Sequence, residues 1–166
     1  MNTFWAYFWP AFALGLVVGL IAGIVGFHKK SRRRAALASG LVCTLALAAL
    51  WHGPLGAADR FANGVDRDVQ ATLKYYEMTQ VSAHLHRGPL TRHLILSGPA
   101  DDFQSSELVR TMETLPGISR AQWRASPAGP PLIAEGLGIA AVGFLFGLLL
   151  AYLIELRRRY NAQWTW

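Results

Sequence analysis

Three long runs without a charged residue constrain this chain more than any other feature. They cover residues 1–27, 35–50 and 136–154 and contain no Asp, Glu, Lys or Arg. About 20 apolar residues in a helix cross a hydrocarbon core of about 30 Å. The charged fraction of the whole chain is 16%, well below the roughly 25% of soluble domains. The sequence therefore predicts a membrane α-helical protein with three transmembrane helices, at about residues 3–27, 35–51 and 132–155.

The net charge of +6 lies beside these runs rather than in the middle of the chain. Residues 53–130 hold eight basic and eight acidic side chains, so they do not form a basic face for nucleic acid, and no nucleic-acid partner is expected. The excess lies in loop 28–34 and after the third run, in Lys29, Lys30, Arg32, Arg33, Arg34, Arg157, Arg158 and Arg159. Basic residues beside apolar spans mark the cytoplasmic side. This predicts a bacterial inner-membrane protein with a periplasmic N-terminus, residues 53–130 in the periplasm and a cytoplasmic C-terminus.

Aromatic residues flank the first and third runs, as they do at membrane interfaces. Trp5 and Trp9 lie at the start of the first span, and Trp164 and Trp166 follow the third in a basic, aromatic tail. Together with the basic clusters, these tryptophans are predicted to anchor the chain at the lipid headgroups. Membrane lipids are therefore expected partners.

The second run is the shortest of the three, near the lower length limit for a span. Basic residues precede it and small residues follow it, which is also the pattern of a signal peptide. Its internal position favours an uncleaved span, and the sequence leaves open whether it crosses the membrane fully.

Glycines recur every four residues on the first and third spans. Gly15, Gly19 and Gly23 mark one helix face, and Gly143 and Gly147 mark another. Such spacing lets two helix backbones approach closely in a bilayer, although glycine is also simply common in membrane helices. We expect at least one of these faces to pack on a helix of the same chain or of a partner.

The segment between the second and third spans is patterned as a small α+β domain over residues 59–126. An apolar stripe with helical spacing runs from Phe61 to Leu73, and Tyr75 and Tyr76 close that helix. Two alternating strands flank Gly88-Pro89 as a hairpin. A second helix is predicted after Asp101 and a short strand after Pro116-Gly117; the apolar residues assigned to this helix are Phe103, Leu108, Met112 and Leu115. A proline-rich linker from residue 127 leads into the third span.

This αββαβ order resembles the BON domain, a small periplasmic module of bacterial envelope proteins. The resemblance covers Asp59 to about Arg124. The resemblance rests on three features, of which the first is Asp66 and Val69 in the first helix. The others are the Leu94-Ile95-Leu96-Ser97-Gly98 strand end and the Leu115-Pro116-Gly117-Ile118 turn. The hairpin departs from the family pattern, because Gly88-Pro89 replaces asparagine-glycine. Membership would imply attachment to envelope membranes or partners, with phospholipid binding in some members and no catalysis.

Three histidines fall on one face of the predicted hairpin. If Arg87 pairs with Leu90 and the register continues without interruption, His84 faces His93, and His86 lies beside them with Thr91 on the outer face. Such a cluster could bind zinc or copper or respond to pH. However, a pleated face spaces these side chains widely, and no carboxylate or thiol joins them. The favoured interpretation is a solvated polar face without a metal.

The sequence contains no nucleophile motif, phosphate loop, HExxH or CxxC pattern, and no cofactor is expected. Glu135, close to the start of the third span, is interpreted as an interfacial carboxylate rather than part of a proton path. The resulting hypothesis is a non-enzymatic accessory or scaffold protein whose periplasmic domain binds partner proteins or phospholipid headgroups, with Trp123 as a candidate contact. The alternative is a small subunit of a transport or electron-transfer complex that docks through its glycine-rich helices.

Overall fold

The computed structural model describes residues 2–28, 30–124 and 129–162. Within these residues, five α-helices and three strands follow one another in the predicted order. They are α1 (Thr3–His28), α2 (Arg33–His52), α3 (Ala57–Tyr75), β1 (Ser82–Arg87), β2 (Leu90–Ser97), α4 (Asp102–Glu113), β3 (Arg120–Trp123) and α5 (Leu132–Ala162). The chain divides into two compact units. One consists of Met1–Tyr7 and Gly56–Glu135, and the other of Phe8–Leu55 and Gly136–Trp166. We call them the α+β unit and the helical unit.

The helical unit contains the apolar helices. α1, α2 and α5 are each long and apolar enough to cross a membrane, which confirms three helices of spanning length. A short 3-10 turn, Lys30–Arg32, joins α1 to α2. α5 is longer than the predicted span and continues to Ala162, so Arg157–Arg159 lie on its last turns rather than in an irregular tail. Glu155 supports this extension, because it pairs with Arg159 at 3.0 Å and Arg158 at 3.9 Å one turn further on.

The α+β unit has the predicted αββαβ order around a three-stranded sheet. β2 is central, antiparallel to β1 and parallel to β3, with α4 in the crossover that parallel strands require. α3 packs on β1 and α4 on β3. The core contains Phe61, Val65, Val69, Leu73, Ala83, Leu85, Leu94, Leu96, Leu108, Met112 and Ala121. The unit extends beyond the predicted 59–126, because the first turn of α1 and the start of α5 belong to it.

The predicted hairpin register is wrong beyond its first pair. Arg87 pairs with Leu90 as expected, but an irregularity follows, and Ala83 then pairs with Leu96 and His84 with Ile95. β2 has two more residues than β1 in this irregular stretch. A shift of two preserves the inward and outward alternation, so the apolar face is unchanged. Thr91 is nevertheless fully buried, not on the outer face, and bridges to Pro131.

Two turn glycines have left-handed backbone conformations. Gly98 has a φ of 145°, and a Cβ there would lie 2.7 Å from the carbonyl oxygen of Gln80. Gly117 has a φ of 107°, and its Cβ would lie 2.8 Å from a methyl group of Val65. Both positions therefore require glycine for conformation and for space.

Candidate functional site

Three exposed aromatic side chains mark one end of the α+β unit. Tyr75 is 81% exposed, Tyr76 51% and Phe103 74%. A cavity of about 200 Å³ connects the end of α3 with the first turns of α4; its walls include Tyr76, Phe103 and the buried Leu108. We call Tyr75, Tyr76, Phe103 and this cavity the aromatic surface. Contiguous exposed apolar groups of this kind mark interaction sites in soluble domains.

The end of α3 fixes the position of the two tyrosines. The amide of Met78 donates to the carbonyl oxygen of Leu73 at 3.0 Å, which closes the helix with a tight turn. Glu77 has a φ of 58° in this turn, a conformation normally taken by glycine. The rings of Tyr75 and Tyr76 then meet edge to face, with their centroids 5.2 Å apart.

Phe103, one of the apolar residues assigned to α4, is exposed rather than packed in the core. Leu108 and Met112 are four residues apart and buried, whereas Phe103 precedes Leu108 by five residues. At about 100° per residue, five residues place Phe103 about 140° around α4 from Leu108. A capping box between Asp101 and Gln104 begins α4, so Phe103 lies in its first turn, and its ring faces outward from there. The helical spacing alone could have identified this exposed residue.

The first turn of α1 gives the aromatic surface a direction within the α+β unit. The ring of Tyr7 contacts that of Phe61 at 5.6 Å between centroids, and the hydroxyl of Thr3 donates to Asp68 at 3.4 Å. The earlier residue of α1, Thr3, thus contacts the later residue of α3, and the two segments run antiparallel. Tyr75, at the far end of α3, thus lies on the side opposite to Tyr7.

Acidic side chains predominate around the aromatic surface. Residues 74–78 and 101–111 contain four carboxylates and two basic groups. Glu107 lines the cavity, and Asp101 and Asp102 begin α4 beside Phe103. The surface therefore combines exposed rings with a negative rim.

Arg92 is the polar centre of the α+β unit, a role that the sequence did not indicate. Its guanidinium pairs with Glu135 at 3.0 Å, and both side chains are about four-fifths buried. Its Nε donates to the carbonyl oxygen of Gly117 at 3.1 Å, and the group lies 4.9 Å from the centroid of the Phe4 ring. One side chain thus joins the first turn of α1, the α4–β3 turn and the start of α5. Glu135, interpreted as an interfacial carboxylate, is an ion-pair partner in this unit.

The three histidines occupy different environments. His84 is exposed and pairs with Ile95 across the sheet, so it does not face His93. His86 donates through Nδ1 to the carbonyl oxygen of Pro89 at 3.1 Å. His93 lies against Gly129. Within residues 2–28, 30–124 and 129–162, no group of three or more His, Cys, Asp or Glu side chains is arranged to hold a metal ion.

Trp123 lies at the edge of the sheet. It pairs with Leu96 in the parallel register and is half-buried. Ala121, two residues earlier, is buried on the helix-covered face, so Trp123 belongs to that face as well. It offers less free surface than Tyr75 or Phe103.

The five glycines predicted to pack helices all lie between α1 and α5. A Cβ at Gly15 or Gly19 would overlap a carbonyl oxygen of α5, at Ala140 or Phe144. Gly143 and Gly147 meet the carbonyl oxygens of Phe12 and Leu16 in the same way, and Gly23 packs on Ala151. The glycine faces are thus used by a contact within the chain.

The predicted membrane anchors are partly described. Trp5 and Trp9 are 48% and 53% exposed at the start of α1. Lys29, Trp164 and Trp166 lie outside the described residues, and Lys30 belongs to the 3-10 turn between α1 and α2. The remaining anchors are exposed at the α1–α2 turn or on the last turns of α5; they are Arg32, Arg33, Arg34, Arg157, Arg158 and Arg159.

Comparison with protein-family models, with curated proteins and with solved structures gives no match to this chain. Its interpretation therefore depends on its own sequence and geometry. Three apolar helices of spanning length are consistent with a membrane protein, and they accompany a small three-stranded α+β unit.

Proposed function

We propose that this protein is a non-enzymatic accessory or scaffold component of the bacterial inner membrane. Its three helices span the membrane, with the basic ends of α1 and α5 in the cytoplasm and the BON-like α+β unit in the periplasm. The unit captures a partner protein through the aromatic surface.

The exposure of Tyr75, Tyr76 and Phe103 is the observation that carries this proposal. Aromatic side chains supply large contact areas with little loss of conformational entropy, and they dominate the energetics of protein interfaces. The adjoining cavity can accept an apolar side chain of the partner. The acidic rim favours a partner segment that carries Lys or Arg beside that side chain.

The acidic side chains around the aromatic surface support a protein partner over phospholipid headgroups as its ligand. A negative rim disfavours the anionic headgroups of a membrane.

The alternative, a subunit that docks through its glycine-rich helices, receives less support. Its proposed docking faces are used by the contact between α1 and α5.

Site-specific photocrosslinking in cells tests the proposal on the full-length chain. A photoreactive phenylalanine analogue replaces Tyr75 or Phe103, and a matched chain carries it at Arg120, which is exposed on β3. We expect the same protein adduct from positions 75 and 103 and none from position 120. In a second arm, Y75S/F103S should lower recovery of that partner at least tenfold.

Two outcomes would contradict the proposal. Equal adducts from all three positions would indicate random collision with periplasmic proteins. Adducts with phospholipid alone would transfer the function to headgroup binding. The full chain is needed, because Thr3, Phe4 and Glu135 contribute contacts to the unit.

A further inference from the structure

The basic end of the helical unit contains a cavity that the proposed function does not use. It has a volume of about 190 Å³ and lies where the end of α1, the start of α2 and the last turns of α5 meet. Phe27, Tyr152 and Leu156 supply apolar walls, and Arg33, Arg159 and Glu155 supply the charged groups. The charged groups suit the headgroup of a phospholipid, and the apolar walls suit its acyl chains.

Arg33 has the features of an unused anion ligand. Its guanidinium lies 5.3 Å from the centroid of the Phe27 ring, which holds the side chain over the wall of the cavity. Within the described part of the chain, no carboxylate pairs with it. Arg33 is also the first residue of α2, whose N-terminus is not capped by a side chain. The helix dipole therefore adds to the positive potential there.

Arg159 completes the positive side of the cavity. Its Nε donates to Glu155 at 3.0 Å, and Glu155 is also 3.9 Å from Arg158. The cavity is lined by two guanidinium groups and one carboxylate, so a net positive charge of one remains for an anion. Arginine binds phosphate oxygens through a planar pair of donors, which favours phosphate over a monovalent halide.

A second cavity, of about 320 Å³, lies on the other side of Glu155 and is lined by Arg158 with Ile24 and Ile154. Its arginine is already engaged, because it donates to Nδ1 of His28 at 3.1 Å and pairs with Glu155. The cavity at Arg33 is therefore the better anion site of the two.

We propose that the cavity between Arg33 and Arg159 binds an anionic phospholipid, with its phosphate on the two guanidinium groups and an acyl chain along Phe27, Tyr152 and Leu156. Basic pockets between transmembrane helices recognise acidic lipids by this combination of charge and apolar contact. The site is independent of the aromatic surface and lies in the other compact unit.

Native mass spectrometry of the full-length chain in mixed micelles tests this site, with phosphatidylglycerol or phosphatidylcholine as the added lipid. We expect retained phosphatidylglycerol to exceed retained phosphatidylcholine at least fivefold. R33Q should reduce phosphatidylglycerol binding about fivefold, as expected for one arginine near a lipid surface. R34Q is the matched control, because it removes the same charge from the next residue, which does not line the cavity.

A second variant tests the shape of the site without changing its charge. Leu156 is 50% exposed and lines the cavity, so L156W should fill the space and reduce phosphatidylglycerol retention. Equal losses in R33Q and R34Q would overturn the proposal in favour of diffuse surface charge, as would equal retention of the two lipids. Inorganic phosphate that displaces the lipid at matched concentration would indicate a free-phosphate site and also overturn it.

Discussion

Removal of the Arg92 side-chain charge should loosen the whole α+β unit. Arg92 pairs with Glu135, and both side chains are about four-fifths buried. Exposed ion pairs contribute about 0–1 kcal/mol, while breaking a buried pair costs about 3–5 kcal/mol, so about 2 kcal/mol suits this intermediate case. The charged hydrogen bond to Gly117 adds about 1 kcal/mol. R92M should therefore lower the free energy of opening by about 3 kcal/mol.

Hydrogen exchange of the full-length chain in micelles measures this loss. For R92M, amides of Leu94 and Leu96 in the central strand should exchange about a hundredfold faster, since each 1.4 kcal/mol is a factor of about ten. R120M is the control, because Arg120 is exposed on the neighbouring strand. Adding E135Q to R92M should recover part of the loss by removing the unpaired carboxylate. Similar exchange rates in R92M and R120M would refute the role of Arg92.

Three further substitutions test separate parts of the fold. Gly143→Ala should lower the free energy of unfolding by about 1–3 kcal/mol in an SDS-unfolding titration, because its methyl group would overlap α1. Gly138→Ala is the control, because its methyl group would lie in open space and should leave stability unchanged. Equal unfolding midpoints for the two variants would contradict the close helix contact. Asp101→Ala should lower the stability of α4 by about 1 kcal/mol and so speed exchange of its amides. Asp102→Ala should have a smaller effect, because only Asp101 caps the helix. The reverse order would exclude the capping box. Glu77→Gly should stabilise the α+β unit by about 0.5–1 kcal/mol, since glycine relieves its positive φ, and a destabilised variant would show that the strain is absent.

The elements with strong periodicity were predictable from sequence. The charge-free runs predicted α1, α2 and α5, and the stripe from Phe61 to Leu73 predicted α3. Apolar alternation also placed Ala83 and Leu94 on the buried face of the sheet. These patterns are local, and burial of one face determines them.

Long-range geometry could not be derived in the same way. The irregular stretch of β2 contains Thr91, which is buried and bridges to Pro131, forty residues further along the chain. Arg92 and Glu135 meet only because α5 begins against the sheet. The exposure of Phe103 was predictable, because helical geometry alone places it away from Leu108.

The proposed topology places the α+β unit on the side of the membrane opposite to the basic clusters. Cysteine labelling measures this directly in a C43A background, which removes the chain's single cysteine. One variant carries S106C on α4 and another S31C in the turn between α1 and α2; both serines are exposed. In spheroplasts, a membrane-impermeant maleimide should label S106C at once and S31C only after permeabilisation. Immediate labelling of S31C with protection of S106C would contradict the proposed arrangement.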